Sequence, residues 1–201
     1  MTTNIHIIRP VLPDFDKKEI LRYVGVRGED ERTCALLDST LSVVVDKIAP
    51  RLCYIEYPIC VLDKSVSIGH ITVASSNLAT ALSGCESAVV FAATVGLEID
   101  RLIHKYSEFE PARALILQAI GTERVEALCD LFCHKLIEER ALVGQTVRPR
   151  FSPGYGDLPL NLQIPIFEAL NCPRNIGITL NDSLLMSPSK SVTAIVGIKS
   201  L

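Results

Sequence analysis

The chain has 201 residues, 48% apolar and 21% charged, with a mean hydropathy of +0.31. A chain this apolar buries enough surface to offset its ordering entropy, which excludes disorder, and its length fits a single domain over residues 1–201. A net charge of −3 leaves no positive field for phosphate, and with no Trp, five Tyr and six Phe there is no stacking platform for bases, so no nucleic-acid partner is expected.

In chain order, residues 5–8 read as a short extended start, after which Pro10 and Pro13 enforce a turn. Asp14 or Asp16 then caps a helix through Lys17, Glu19, Ile20 and Leu21 that ends near Gly25 or Gly28. A second helix is predicted over 30–48, because Leu37, Leu41, Val44, Val45 and Ile48 recur at helical spacing and Pro50 closes the run. The period then changes. Residues 53–57 and 66–73 predict strands, and 88–92 predicts a short buried one. Residues 96–104, with Leu97, Ile99, Leu102 and Ile103 on one side, predict a helix. A long helical pattern opens at Pro111 and stops before Gly144. Unbroken, it would span roughly 50 Å, so a kink or break is expected near Gly121. Beyond Val147 the chain is turn-rich, with a helix predicted over 160–170 and strands over 176–180 and 192–198. Without a regular alternation of strand and helix, the fold class is α+β, a mainly antiparallel sheet with several helices including one long one.

No run approaches the roughly 20 apolar residues of a bilayer span. The N-terminus also lacks a basic start, an apolar stretch and a cleavage site, so no membrane association and a cytoplasmic location are expected. The seven cysteines, 34, 53, 60, 85, 129, 133 and 172, are odd in number and scattered through apolar segments, as suits buried thiols in a reducing compartment. Cys129 and Cys133 lie one helical turn apart beside His134 and could place two thiolates on a metal, with Cys172 or Cys85 as further ligands. Their interleaving with Leu128 and Phe132 points instead to core thiols, and no metal is expected. His70, in an alternating strand, and His104, on an amphipathic helix, read as structural or surface residues. The chain carries no nucleophile triad, phosphate-binding glycine loop, dinucleotide fingerprint or zinc-protease motif.

The most informative stretch runs from Arg148 to Pro159, where Pro149, Pro153, Pro159, Gly154 and Gly156 make an irregular, stiff backbone. Such a loop positions things. Arg150 offers a two-pronged fork for a carboxylate; the alternative is a well-made turn whose Arg150 pairs with a nearby acid and whose Tyr155 merely packs. Asp157 either caps the helix that follows or braces Arg150.

Arg150, Pro153, Gly154, Tyr155 and Pro159 together resemble the S-adenosylmethionine-binding signature of the activation domain of cobalamin-dependent methionine synthase. Residues 21–28, 92–96, 176–180 and 186–192 are similar to further segments of that family in the same order, closest to its free-standing forms. The resemblance implies an S-adenosylmethionine-binding accessory protein for the reductive remethylation of a corrinoid. Its cofactors would be S-adenosylmethionine and the cobalamin carried by a partner, and methyl transfer from a sulfonium needs no general acid or base. The partners implied are a corrinoid-binding protein or methionine synthase and an electron donor such as flavodoxin or ferredoxin, with no turnover by this chain alone. Carried over by residue, Arg150 faces the ligand's α-carboxylate, the backbone of Ser152, Pro153 and Gly154 bonds its nucleoside and amino-acid portions, and Tyr155 lines the pocket. Glu126 matches an acidic helix position that meets the α-ammonium; the alternative is a solvated carboxylate paired with Arg124 or Arg113. Lys190 either meets a corrinoid side chain or partner acid, or is an exposed lysine at a strand start. The family's second acid near the N-terminus has no clear counterpart, and its aromatic residues after the Lys190-Ser-Val192 position are replaced by Thr193-Ala-Ile-Val-Gly197. The shortened ends suit a second reading, a non-catalytic docking module for a corrinoid protein that has lost the ligand. A third reading is a thiol-based metal binder built on Cys129 and Cys133.

Overall fold

A computed structural model describes residues 4–25 and 30–201. The elements follow the order β1 (His6–Ile8), α1 (Lys17–Val24), α2 (Glu31–Val44), β2 (Arg51–Leu62), β3 (Ser65–Ile68), β4 (Ile71–Ala74), α3 (Ser76–Ala81) and β5 (Ser87–Thr94). They continue with α4 (Glu98–Ser107), α5 (Pro111–Ala141), β6 (Gln145–Val147), α6 (Gln163–Leu170), α7 (Cys172–Asn175), β7 (Thr179–Leu180), β8 (Met186–Ser187) and β9 (Ser191–Ser200). Seven strands form one sheet in the order β4-β3-β2-β5-β9-β6, with β1 on β2, and β7 pairs β8 apart from it. Every pairing is antiparallel, as the α+β reading predicts.

The sheet is covered on both faces. On β5, Val89, Phe91 and Ala93 enter one core, with residues of α1, α2, α4 and α5. Ala88, Val90 and Ala92 enter the other, under the β3–β4 hairpin, α3 and α6. A strand buried on both sides reads as a continuous apolar run instead of an alternation. That is why 88–92 is legible as a strand.

Caps set the helix starts. Asp16, not Asp14, caps α1 by accepting from the Glu19 amide at 3.0 Å, and Gly25, at φ +84°, ends it. The alternative end at Gly28 lies outside the described residues. Asp30 caps α2 through the Thr33 amide at 3.0 Å. The helix predicted to 48 stops at Val44 and tightens into a 3₁₀ turn over Val45–Lys47. The predicted strand at 53–57 extends to Arg51–Leu62, because β5 covers its first part and β3 its last.

Three expectations are corrected. The strand expected over 66–73 is a hairpin, turning at Gly69 (φ +58°) and His70. A Cβ on Gly69 would lie 2.6 Å from the Tyr57 ring, so the turn packs directly on an aromatic face. His70 therefore sits in an exposed turn, edge-on to Tyr57, and not in a strand. The break expected at Gly121 is absent, since α5 runs unbroken for 31 residues. Gly121 serves a close approach: a Cβ there would come within 2.9 Å of Ile99 Cγ2 and 2.8 Å of Lys190 Cγ. The strand expected over 176–180 shortens to Thr179–Leu180 behind the single turn of α7. The short elements α3 and β6 have too little sequence to show a period. Among the described residues, no helix is long and apolar enough to cross a membrane.

Candidate functional site

Beyond β6 the chain runs beside β9 for a few residues more. The Arg148 amide donates to the Gly197 carbonyl at 2.8 Å, and Phe151 and Ile195 exchange both main-chain bonds at 2.8 Å. Pro153 then turns the chain away. The loop that follows is nested: the Tyr155 amide donates to the Ser152 carbonyl at 3.2 Å, Leu158 to Tyr155 at 3.0 Å, and Gly154 to Leu158 at 2.9 Å. Gly154 (φ +94°) and Gly156 (φ +55°) take left-handed conformations that side chains disfavour. Gly156 also lies so close to α3 that a Cβ would fall 2.1 Å from Asn77 Nδ2.

Asp157 fixes this loop to the rest of the molecule. Its carboxylate accepts from the Ser75 hydroxyl and from the Ser76 and Asn77 amides at 2.7 and 3.2 Å. The Ser75 hydroxyl bond, with the amide bonds behind it, holds the carboxyl below the usual range. Asp157 therefore joins Ser75, the N-cap whose hydroxyl accepts from the Leu78 amide at 3.0 Å, in capping α3, more than 70 residues earlier in the chain, and serves neither the helix that follows nor Arg150.

Between this loop, α5, α6 and the start of β9 lies a cleft of about 430 Å³, within the range of small-ligand sites. Glu126, Arg150, Ser152, Pro153 and Tyr155 all line it; Gly154 does not, and its amide is used inside the loop. Phe151, Gln163, Met186, Ser191, Val192 and Thr193 complete the wall. Arg150 donates from Nη2 to Glu126 Oε2 and to Asp130 Oδ1 at 3.2 Å. Half-burial works against its charge, but the Glu126 bond and the neighbouring acids raise its pKa above the ordinary value. Neither expected partner of Glu126 meets it: Arg124 is bound to Glu123, and Arg113 to Glu110. Two carboxylates face one guanidinium, leaving an acidic surplus beside an arginine fork. That combination suits a zwitterionic α-amino-acid group, the carboxylate towards Arg150 and the ammonium towards Glu126 and Asp130.

Asp130, Gln163 and Thr193 are the residues that sequence reasoning missed. Asp130 follows Glu126 by four residues, so the two share a helix face, and that spacing was a usable signal. Gln163 and Thr193 had none. Both are buried, yet Gln163 Oε1 and Thr193 Oγ1 have no hydrogen-bond partner among the described residues.

Lys190 is half-buried, not an exposed lysine. It crosses α5 at Gly121, its Nζ donates to Thr122 Oγ1 at 3.2 Å, and burial lowers its pKa against the pull of Asp100. The thiols do not gather. Burial pushes Cys129 up to about 12 and raises Cys133 as well. Cys129 belongs to the α5 core, whereas Cys172 lies with Cys53 in the core on the opposite face of the sheet, where the neighbouring Cys53 thiol, with burial behind it, raises the Cys172 pKa. Among the described residues, no group of three or more His, Cys, Asp or Glu is placed to hold a metal ion. His104 is exposed on α4 and His134 on α5.

No protein-family model matches the sequence, and no curated protein matches it either. Among solved structures, the chain is similar to the crystal structure of the MetH reactivation domain bound to AdoHcy, with a TM-score of 0.74 over 96% of this chain and 78% of that one. The two sequences are 15% identical. The shared sheet, helices and long α5 give this chain the fold of the MetH reactivation domain.

Proposed function

We propose that the protein binds S-adenosylmethionine in the Arg150 cleft and presents it to a corrinoid carried by a partner protein, such as methionine synthase or a related methyltransferase. The observation that carries this reading is the pairing of Arg150 with Glu126 at a cleft walled by the loop of Ser152, Pro153 and Tyr155, with Asp130, which is not in that wall, as the second carboxylate on Arg150. The solved domain of the same fold was crystallised with AdoHcy, the demethylated form of the proposed ligand. Arg150 and the two acids would hold the amino-acid end, and the acidic surplus would favour the sulfonium charge. Held there, S-adenosylmethionine would supply a methyl group, leaving S-adenosylhomocysteine, to a cobalamin carried by the partner and reduced by a donor such as flavodoxin or ferredoxin. The chain's own task is then orientation, which contributes about 7–11 kcal/mol in favourable cases.

One observation favours the rival reading, a docking module without a ligand: Arg150 is already satisfied by Glu126 and Asp130. Calorimetric titration with S-adenosylmethionine and S-adenosylhomocysteine separates the two. Saturable binding that weakens about tenfold or more in Arg150→Ala, equivalent to ~1.4 kcal/mol, supports the ligand site. Absence of binding leaves the docking module.

A further inference from the structure

Arg150 meets its two carboxylates through a single nitrogen. Nη2 donates to Glu126 Oε2 and, at 3.2 Å, to Asp130 Oδ1, and among the described residues neither Nη1 nor Nε makes a hydrogen bond. The choice of nitrogen matters. A guanidinium grips a carboxylate with two parallel N–H groups, either Nη1 with Nη2 or Nε with Nη2, and each of these forks uses one hydrogen of Nη2. With a carboxylate on each of those hydrogens, both forks are blocked. Nη1 and Nε can then offer a ligand only single bonds.

The two acids hold Arg150 from different sides. Glu126 lines the cleft and also a second groove of about 670 Å³, between α5 and the segment that leads into α1. Asp130 lines only the second groove, and its side chain is 60% exposed against 37% for Glu126. Its bond is the longer of the two and water is at hand to replace it. Asp130 is therefore the acid that yields.

We propose that Asp130 locks Arg150 while the cleft is empty, and that a ligand carboxylate gains its fork by displacing Asp130, so that the site takes a zwitterion and turns away a simple carboxylate. This rests on the amino-acid reading of the cleft given above. Arg150, Glu126 and Asp130 together already carry one negative charge in excess. A carboxylate without a cation would raise that excess and leave Asp130 without a counter-charge. A zwitterion brings an ammonium that takes up the acids as Arg150 turns to the carboxylate, and a ligand opens the lock only by what it gains in doing so. Asp130 thus sets specificity through Arg150, from outside the cleft wall.

The test is calorimetric titration with S-adenosylhomocysteine and with its deamino analogue, in which hydrogen replaces the α-amino group. The wild type is expected to prefer S-adenosylhomocysteine by about tenfold or more, and Asp130→Ala to bind the deamino analogue about tenfold or more tightly than the wild type does. Alanine suits an exposed helix position, and damage to the fold does not produce a gain in binding. Asp14→Asn removes a charge from the same groove without touching the lock and should bring no gain, and neither should Asp130→Ala added to Arg150→Ala. Unchanged or weaker binding of the deamino analogue in Asp130→Ala overturns the lock. An equal gain in Asp14→Asn or on the Arg150→Ala background also overturns it, because overall charge would then be the cause. A wild type that binds both ligands equally overturns the exclusion of carboxylates. Failure of every variant to bind either ligand overturns the amino-acid reading of the cleft itself, whereas binding of S-adenosylhomocysteine with no gain in Asp130→Ala overturns the lock alone.

Discussion

Replacing Gly121 with alanine is expected to destabilise the protein, against the usual preference of helices. In an open helix interior the change would stabilise by about 1 kcal/mol, because glycine has more backbone freedom to lose. Here the new Cβ would lie 2.9 Å from Ile99 Cγ2 and 2.8 and 3.0 Å from Lys190 Cγ and Cε. The lysine stem can swing aside at the cost of its bond to Thr122, but Ile99 is fully buried and has nowhere to go. Overpacking of this kind costs about 1–3 kcal/mol, so the net loss is about 1 kcal/mol, or roughly 2–4 °C in a chain of this length. Urea unfolding followed by far-ultraviolet circular dichroism measures it, since the chain has no Trp. Adding Lys190→Ala should recover part of the loss and leave the Ile99 share. An alanine variant more stable than the wild type would refute the reasoning, for it would make Gly121 a tolerated helix breaker and not a contact. The same variant should weaken ligand binding, because Lys190 leads directly into Ser191, Val192 and Thr193 in the cleft wall.

Two further predictions concern how the site is held. Arg124 and Glu123 are buried together, and Arg124 also donates to the Pro13 and Asp14 carbonyls at 2.6 and 3.0 Å, which ties the segment before α1 to α5. Arg124→Met leaves a buried carboxylate without its counter-charge and should cost about 3–5 kcal/mol. Adding Glu123→Gln should recover much of it, and equal unfolding midpoints for the single and double variants would show that the pairing is not what matters. Asp157, whose carboxyl is held below its ordinary 3.8 chiefly by the Ser75 hydroxyl, adds stability that is complete above that value and lost as pH falls through the lower folded one. The Ser76 and Asn77 amides should therefore lose hydrogen-exchange protection only in acid, and in Asp157→Ala at neutral pH. Protection that does not change with either would mean that α3 is capped by other means.

Much of the fold was legible in the sequence because it depends on local rules. Asp16 and Asp30 cap helices within three residues of themselves, Pro111 opens a helix as its fixed φ allows, and the apolar run of β5 can satisfy only a strand buried on both faces. The stiff loop was legible too, since its prolines and glycines mark it wherever it lies, and resemblance linked it to Glu126. Tertiary structure decided what the individual residues meet. Gly121 looked like a break because its sequence neighbours do not reveal that Ile99 and Lys190 pack against it. Asp157 looked like the cap of the next helix because α3, which it actually caps, is more than 70 residues away. The same holds for the oxygens of Gln163 and Thr193 that lack a partner among the described residues: a buried polar atom is an orphan only relative to what surrounds it in space, and no spacing along the chain records that.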